Sequence, residues 1–188
     1  HGLNGGSNEN YIRHFSRALL LDPRLGGCRV VVMVARGLCG VPMLTYEPYN
    51  AGSTDDLCEV LEELHRRYPR APLLLAGFSL GANIVCRYVC QAGHSSFVTA
   101  ALAVNNPFDL KASLDNLEHR QGKFGRYMSA QMAKGLIRYT RKNAAAILKG
   151  PYHVDMRAVT EAKLCSEFDE VGSCRMFGLE HNTDYYAK

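Results

Sequence analysis

Several things are missing from this 188-residue chain, and each absence removes a class of function. No run of about 18 apolar residues occurs, so no segment reads as a bilayer-spanning helix. The chain opens on His1-Gly2-Leu3 without the Met, basic stretch and apolar stretch of a signal peptide. The natural N-terminus is therefore expected upstream, and localisation cannot be read. Seven cysteines, an odd number with no C-x-x-C pair, argue against a disulfide framework and against a zinc site. Reduced thiols packed as small apolar side chains are the expectation. The net charge of +4 and pI near 8.7 fall well short of the basic balance that makes nucleic acid the default partner. Neither G-x-G-x-x-G nor G-K-[ST] is present, so the glycine-rich start is not a nucleotide phosphate loop.

What remains is a chain with 47% hydrophobic residues, enough for a globular core. Ile12, Phe15 and Leu19 recur at helical spacing from Asn8 to about Leu20, and the β-branched run Arg29 to Ala35 reads as a central parallel strand buried on both faces. Ser53 to Asp56 suit a helix N-terminus, and Leu57, Val60, Leu61 and Leu64 form the stripe of the helix that follows. Leu73 to Ala76 is a second strand, a helix runs from Leu80 to near Gly93, and Phe97 to Val104 is a third strand. Strands alternating with helices of this length predict an α/β fold with a mostly parallel sheet flanked by helices.

Beyond Pro107 no further strand is clear, so residues 1–106 read as a core and 107–188 as a helical cap or lid region. Phe124 to Leu148 is predicted as one long helix, another helix is expected around Met156 to Leu164, and the tail after Phe168 reads as irregular. Arg120 to Lys149 contains eight Lys or Arg and no acid. Met128, Met132, Leu136 and Tyr139 fall on one helix face and Lys134, Arg138, Arg141 and Lys142 on another. Two readings stay open: a lid whose cations meet phospholipid head groups, or a basic face that is simply solvated.

The segment with the clearest chemistry is Gly77-Phe78-Ser79-Leu80-Gly81. A serine hydroxyl attacks well only when it is exposed, beside a base, and near donors for the developing oxyanion. In G-x-S-x-G a strained strand-to-helix turn supplies the exposure, and the glycines let strand and helix approach without a Cβ clash. Leu73 to Ala76 and Leu80 onward provide that strand and helix, making Ser79 the nucleophile candidate. His1-Gly2-Leu3-Asn4-Gly5-Gly6 has the order expected of a second oxyanion loop. The backbone N–H groups of Leu3 and Leu80 are the expected donors.

Taken together, H-G-L-N-G-G-S at the start, Tyr11-Ile12-Arg13-His14, R-G-L-C-G-V-P from Arg36, Tyr49-Asn50-Ala51-Gly52 with Thr54 and Asp56, Tyr68-Pro69, G-F-S-L-G-A-N from Gly77 and Asp184-Tyr185-Tyr186 resemble the hydrolase-4 (YheT-like) branch of the α/β-hydrolases. The resemblance covers nearly the whole chain. It implies a serine hydrolase of carboxylic esters, an esterase or lipase with acylglycerol or phospholipid substrates, needing no cofactor. It also implies an intracellular or membrane-anchored location with membrane-surface contact. Its catalytic Asp and His would come after later strands, so the chain is expected to be a fragment that stops before them. Of the local alternatives, His14, His65, His94, His119, His153 and His181 do not occupy a recognised strand-end position, and Asp109 only resembles the acid of other lipases. A second expectation, from a different class, is a catalytically incomplete relative that binds a ligand or partner.

Overall fold

The computed structural model describes residues 1–187; Lys188, the last residue of the expected 107–188 region, lies outside them. Helices form where the apolar period is strongest: α1 (Asn10–Leu21), α2 (Asp55–Arg67) and α3 (Leu80–Ala92). Asp55 and Asp56 sit in the first turn of α2 and His65, Arg66 and Arg67 in its last, the charge order a helix dipole favours. Between α2 and α3 runs β1 (Leu73–Phe78), and after α3 comes β2 (Val98–Val104). The two strands pair in parallel, Leu74 opposite Ala100 through Phe78 opposite Val104. This is the βαβ unit that the strand–helix–strand order calls for.

The run Arg29 to Ala35 corrects the sequence reading, because it is not a strand. A strand is a pairwise object that needs a ladder partner. Among the described residues only β1 and β2 pair, and this run forms no ladder with either of them. Met33 from this run still packs against Leu57, Leu61 and Tyr88, so the apolar pattern finds a core without a ladder.

The chain divides into two compact units, one of His1–Val41 with Asn50–Asn106, the other of Pro42–Tyr49 with the chain from Pro107 onward. The first contains the βαβ unit. Its core is Leu57, Leu61 and Tyr88 with Leu73, Leu75, Ile84 and Val98 around them.

The second unit is helical: α4 (Leu110–Asp115), α5 (Gly122–Lys142), α6 (Ala144–Ile147), α7 (Met156–Glu161), α8 (Cys165–Phe168), α9 (Cys174–Met176) and α10 (Asn182–Tyr186). The expected long helix ends early because Asn143 Nδ2 donates to the Tyr139 carbonyl at 2.9 Å, a side-chain bond that competes with helix continuation. The tail after Phe168 is also more ordered than its sequence suggests, with a π-helical turn at Asp169–Ser173 leading into α9. Ile147, Val154, Val159, Phe168 and Met176 form this unit's core.

A buried carboxylate ties it together. Glu118, 2% exposed on the π-helical segment Asn116–Arg120, accepts from Ser129 Oγ at 2.6 Å and from the Ser166 hydroxyl at 2.5 Å and backbone N–H at 3.2 Å. Ser129 Oγ in turn accepts the Cys165 N–H at 2.9 Å. Five polar groups from α5, α8 and the π segment thus satisfy one another.

Candidate active site

Ser79 stands at the junction of β1 and α3 with φ +52° and ψ −118°, a conformation that costs an L-residue of order 1–3 kcal/mol. Three contacts hold it there. The Ser79 N–H donates to the Val104 carbonyl at the end of β2 at 2.8 Å, and its own carbonyl accepts from Asn83 N–H at 3.1 Å, closing the first turn of α3. The third is the absence of side chains at Gly77 and Gly81. A Cβ on Gly77 would sit 2.7 Å from Ala82 N, and one on Gly81 would sit 2.6 Å from the His1 carbonyl oxygen. Gly77 thus admits the first turn of α3 beside the strand end, Gly81 admits the opening residue of the chain, and Ser79 is left exposed.

The opening loop lies against this turn. A Cβ on Gly2 would be 3.4 Å from Ser79 Cβ and 3.7 Å from the Phe78 carbonyl. Gly2 to Gly5 form a tight turn, Gly5 N–H donating to the Gly2 carbonyl at 3.1 Å, with φ +60° at Asn4. Leu3 is the second residue of that turn, and its N–H takes no part in the turn's own bond. Leu80 is the first residue of α3, where a helix leaves its leading N–H groups without intrahelical acceptors. The loop is fastened by Gly2 N–H donating to Tyr11 Oη at 2.8 Å, while Tyr11 and Phe15 of α1 pack edge-on against Phe78 at 5.1 and 5.3 Å. The structure therefore brings the loop of Leu3 and the strand–helix turn of Ser79 and Leu80 to one place.

His1 also anchors the site, a role the sequence reading did not assign. Its Nδ1 donates to the Gly2 carbonyl at 2.9 Å, and its Nε2 accepts from Ala35 N–H at 3.2 Å. A carbonyl only accepts and an amide N–H only donates, so these partners fix a neutral tautomer and occupy both ring nitrogens. No signal in the sequence marks this, because it depends on residues 34 positions apart.

The Arg36 turn is built for position. Gly37, Cys39 and Gly40 all have positive φ, and Arg36 Nε donates to Asp56 Oδ2 at 2.9 Å, joining the turn to the start of α2. Asn50 Oδ1 accepts from Gly52 N–H at 2.6 Å, so that motif too is a turn.

The remaining candidates are structural. Among the described residues no side chain hydrogen-bonds to Ser79 Oγ. Asp109 caps α4, its Oδ1 accepting from Ala112 N–H at 2.8 Å. His65 stacks on Phe97 at 4.4 Å, His181 Nδ1 pairs with Glu170 at 3.1 Å, and His14, His94, His119 and His153 are exposed. The Asp184-Tyr185-Tyr186 landmark secures α10: Tyr186 Oη donates to Asp169 Oδ2 at 2.8 Å. An open groove of about 490 Å³ beside α1, lined by Ser7, Ile12, Arg13, Arg17 and Val32, does not include Ser79.

A parallel βαβ unit with a serine at its strand–helix turn and a glycine loop against it is the arrangement expected of an α/β-hydrolase core. The chain belongs to the alpha/beta hydrolase fold family, whose sequence model matches residues 1–139. It is similar to Phospholipase ABHD3 of Homo sapiens, 32% identical over 99% of this chain and 43% of the relative. It is also similar to the Monoacylglycerol lipase of Saccharomyces cerevisiae, 29% identical over 99% of this chain and 41% of the relative. The Escherichia coli protein YheT is 29% identical over 100% of this chain and 53% of its own length, in line with the branch expected from the motifs. The chain thus spans about half or less of the length of these curated relatives. No solved structure matches it.

Proposed function

We propose that the protein containing this chain is a serine hydrolase of carboxylic esters acting on a lipid-type substrate, with Ser79 as nucleophile. The observation that carries this reading is the positive φ of Ser79, held by Gly77, Gly81 and the Val104 carbonyl, with the glycine loop beside it. The strain at Ser79 sits on an exposed hydroxyl at a strand–helix turn, and strain kept at an exposed nucleophile candidate points to chemistry.

In the proposed reaction Ser79 Oγ attacks the ester carbonyl, and the N–H groups of Leu3 and Leu80 stabilise the oxyanion. The alcohol leaves with the proton taken from Ser79, and water hydrolyses the acyl-enzyme to release the acid. His1 cannot be the base in the observed arrangement, because both its nitrogens are engaged. The general base and its orienting acid are assigned to a part of the protein outside these residues, for which the greater length of the relatives leaves room. The lipid class of the substrate follows from the relatives named as a phospholipase and a monoacylglycerol lipase.

One observation favours a second reading, a binding role without catalysis: Ser79 Oγ has no side-chain partner among the described residues. Release of fatty acid from phospholipid and monoacylglycerol, by the protein expressed from its complete gene and by its Ser79→Ala variant, separates the two. Hydrolysis abolished by the substitution supports the enzyme. Lipid binding with no hydrolysis by either protein leaves the second reading.

A further inference from the structure

We propose that the exposed face of α5 is a docking surface for an anionic phospholipid bilayer, on which the helix lies flat. The helix is 21 residues long and carries Lys123, Arg126, Lys134, Arg138, Arg141 and Lys142 with no acidic residue. Its inner side is settled: Gly125, Ser129, Ala133, Tyr139 and Thr140 are buried, and Ser129 is fixed by Glu118. The opposite side is exposed.

At about 100° per residue, Lys123, Lys134, Arg138, Arg141 and Lys142 fall within one outward arc of about 100°, all of them exposed. Phe124 and Tyr127 lie inside the same arc, 68% and 60% exposed, with Met128 at its edge, 38% exposed. The sequence places Met128 on a face separate from the cations; in the structure it borders them.

Cations alone would need only water. Large apolar side chains set among them are costly in water and fit a surface that offers both phosphate and hydrocarbon. Head-group phosphates match the cation stripe, and the acyl boundary takes Phe124, Tyr127 and Met128, the depth at which aromatic side chains favour a bilayer. Charge complementarity thus selects an anionic surface, and the aromatics select a lipid one. Nucleic acid satisfies the first requirement but not the second for a helix presenting a convex, aromatic face. The surface lies wholly within the helical unit and does not rest on the assignment of Ser79.

Co-sedimentation with vesicles tests it, comparing pure phosphatidylcholine with phosphatidylcholine containing about 30% phosphatidylserine, a surface anionic enough to attract a basic segment. Binding is expected only to the anionic vesicles and is expected to weaken as salt rises. Substituting Lys134→Gln, Arg138→Gln and Arg141→Gln together keeps helix propensity and is expected to lower the partition coefficient roughly 100-fold. The pair Phe124→Ser and Tyr127→Ser is expected to lower it roughly tenfold while leaving the salt dependence in place. Thermal melts of both variants confirm that they fold. Hydrolysis of a soluble ester by the protein from its complete gene is expected to be unchanged in both, which separates loss of docking from loss of the proposed chemistry. Equal binding to neutral and anionic vesicles, or unchanged binding by both folded variants, overturns the proposal. So does a duplex oligonucleotide that binds the wild-type chain more tightly than the vesicles and loses that binding in the cation variant.

Discussion

Ser79 concentrates the account at the scale of one residue. Its backbone angles are those a glycine would take freely, so Ser79→Gly removes strain of order 1–3 kcal/mol and gives back part of it as chain entropy. The expected outcome is a net gain of about 1 kcal/mol in unfolding free energy, read from denaturant curves, with hydrolysis lost. Gly77→Ala runs the other way, forcing a Cβ against Gly81 and Ala82, and is expected to cost about 1–3 kcal/mol. These residues were legible in the sequence because sterics act locally: a serine flanked two residues away by glycines, after a strand and before a helix, fits few backbone arrangements besides this turn. His1 was not legible, since its two partners are set by tertiary placement.

At the scale of elements, the tail carries a pH-dependent bond. Burial pushes the Asp169 carboxyl up to about 6, against the opposing donation of Ser173 Oγ at 2.7 Å and Tyr186 Oη at 2.8 Å, with Glu118 adding to the rise. A carboxyl raised above its unfolded value stabilises the folded state fully below about pH 4, and that contribution is lost as pH rises through about 6. The difference amounts to about 3 kcal/mol. The melting temperature is therefore expected to fall between about pH 4 and 6, and Asp169→Asn, neutral throughout, is expected to flatten that slope. Helices α8 to α10 were hidden from the sequence because pieces of three to five residues have no amphipathic period and depend on contacts such as Tyr186 to Asp169. The helices α1, α2 and α3 were readable for the opposite reason: each runs three turns or more with a repeated apolar face. Arg29 to Ala35 shows a different limit, since a β-branched run reveals burial but not whether a neighbouring strand exists to pair with it.

At the scale of the whole molecule, the sheet is the weak point. Leu74 and Leu102 share one sheet face and are 67% and 49% exposed, an apolar surface next to unpaired strand edges. The isolated 188-residue chain is expected to self-associate. Leu74→Thr with Leu102→Thr is expected to raise the monomer fraction in light scattering without lowering the unfolding free energy by more than about 1 kcal/mol. Family membership is secure across residues 1–139, while the chemistry rests on a single side chain. The most direct measurement is therefore a fluorophosphonate probe applied to the protein expressed from its complete gene, with the labelled peptide identified by mass spectrometry. The account predicts one adduct, on Ser79, absent in Ser79→Ala. An unlabelled, folded protein, or an adduct on another residue, would contradict it.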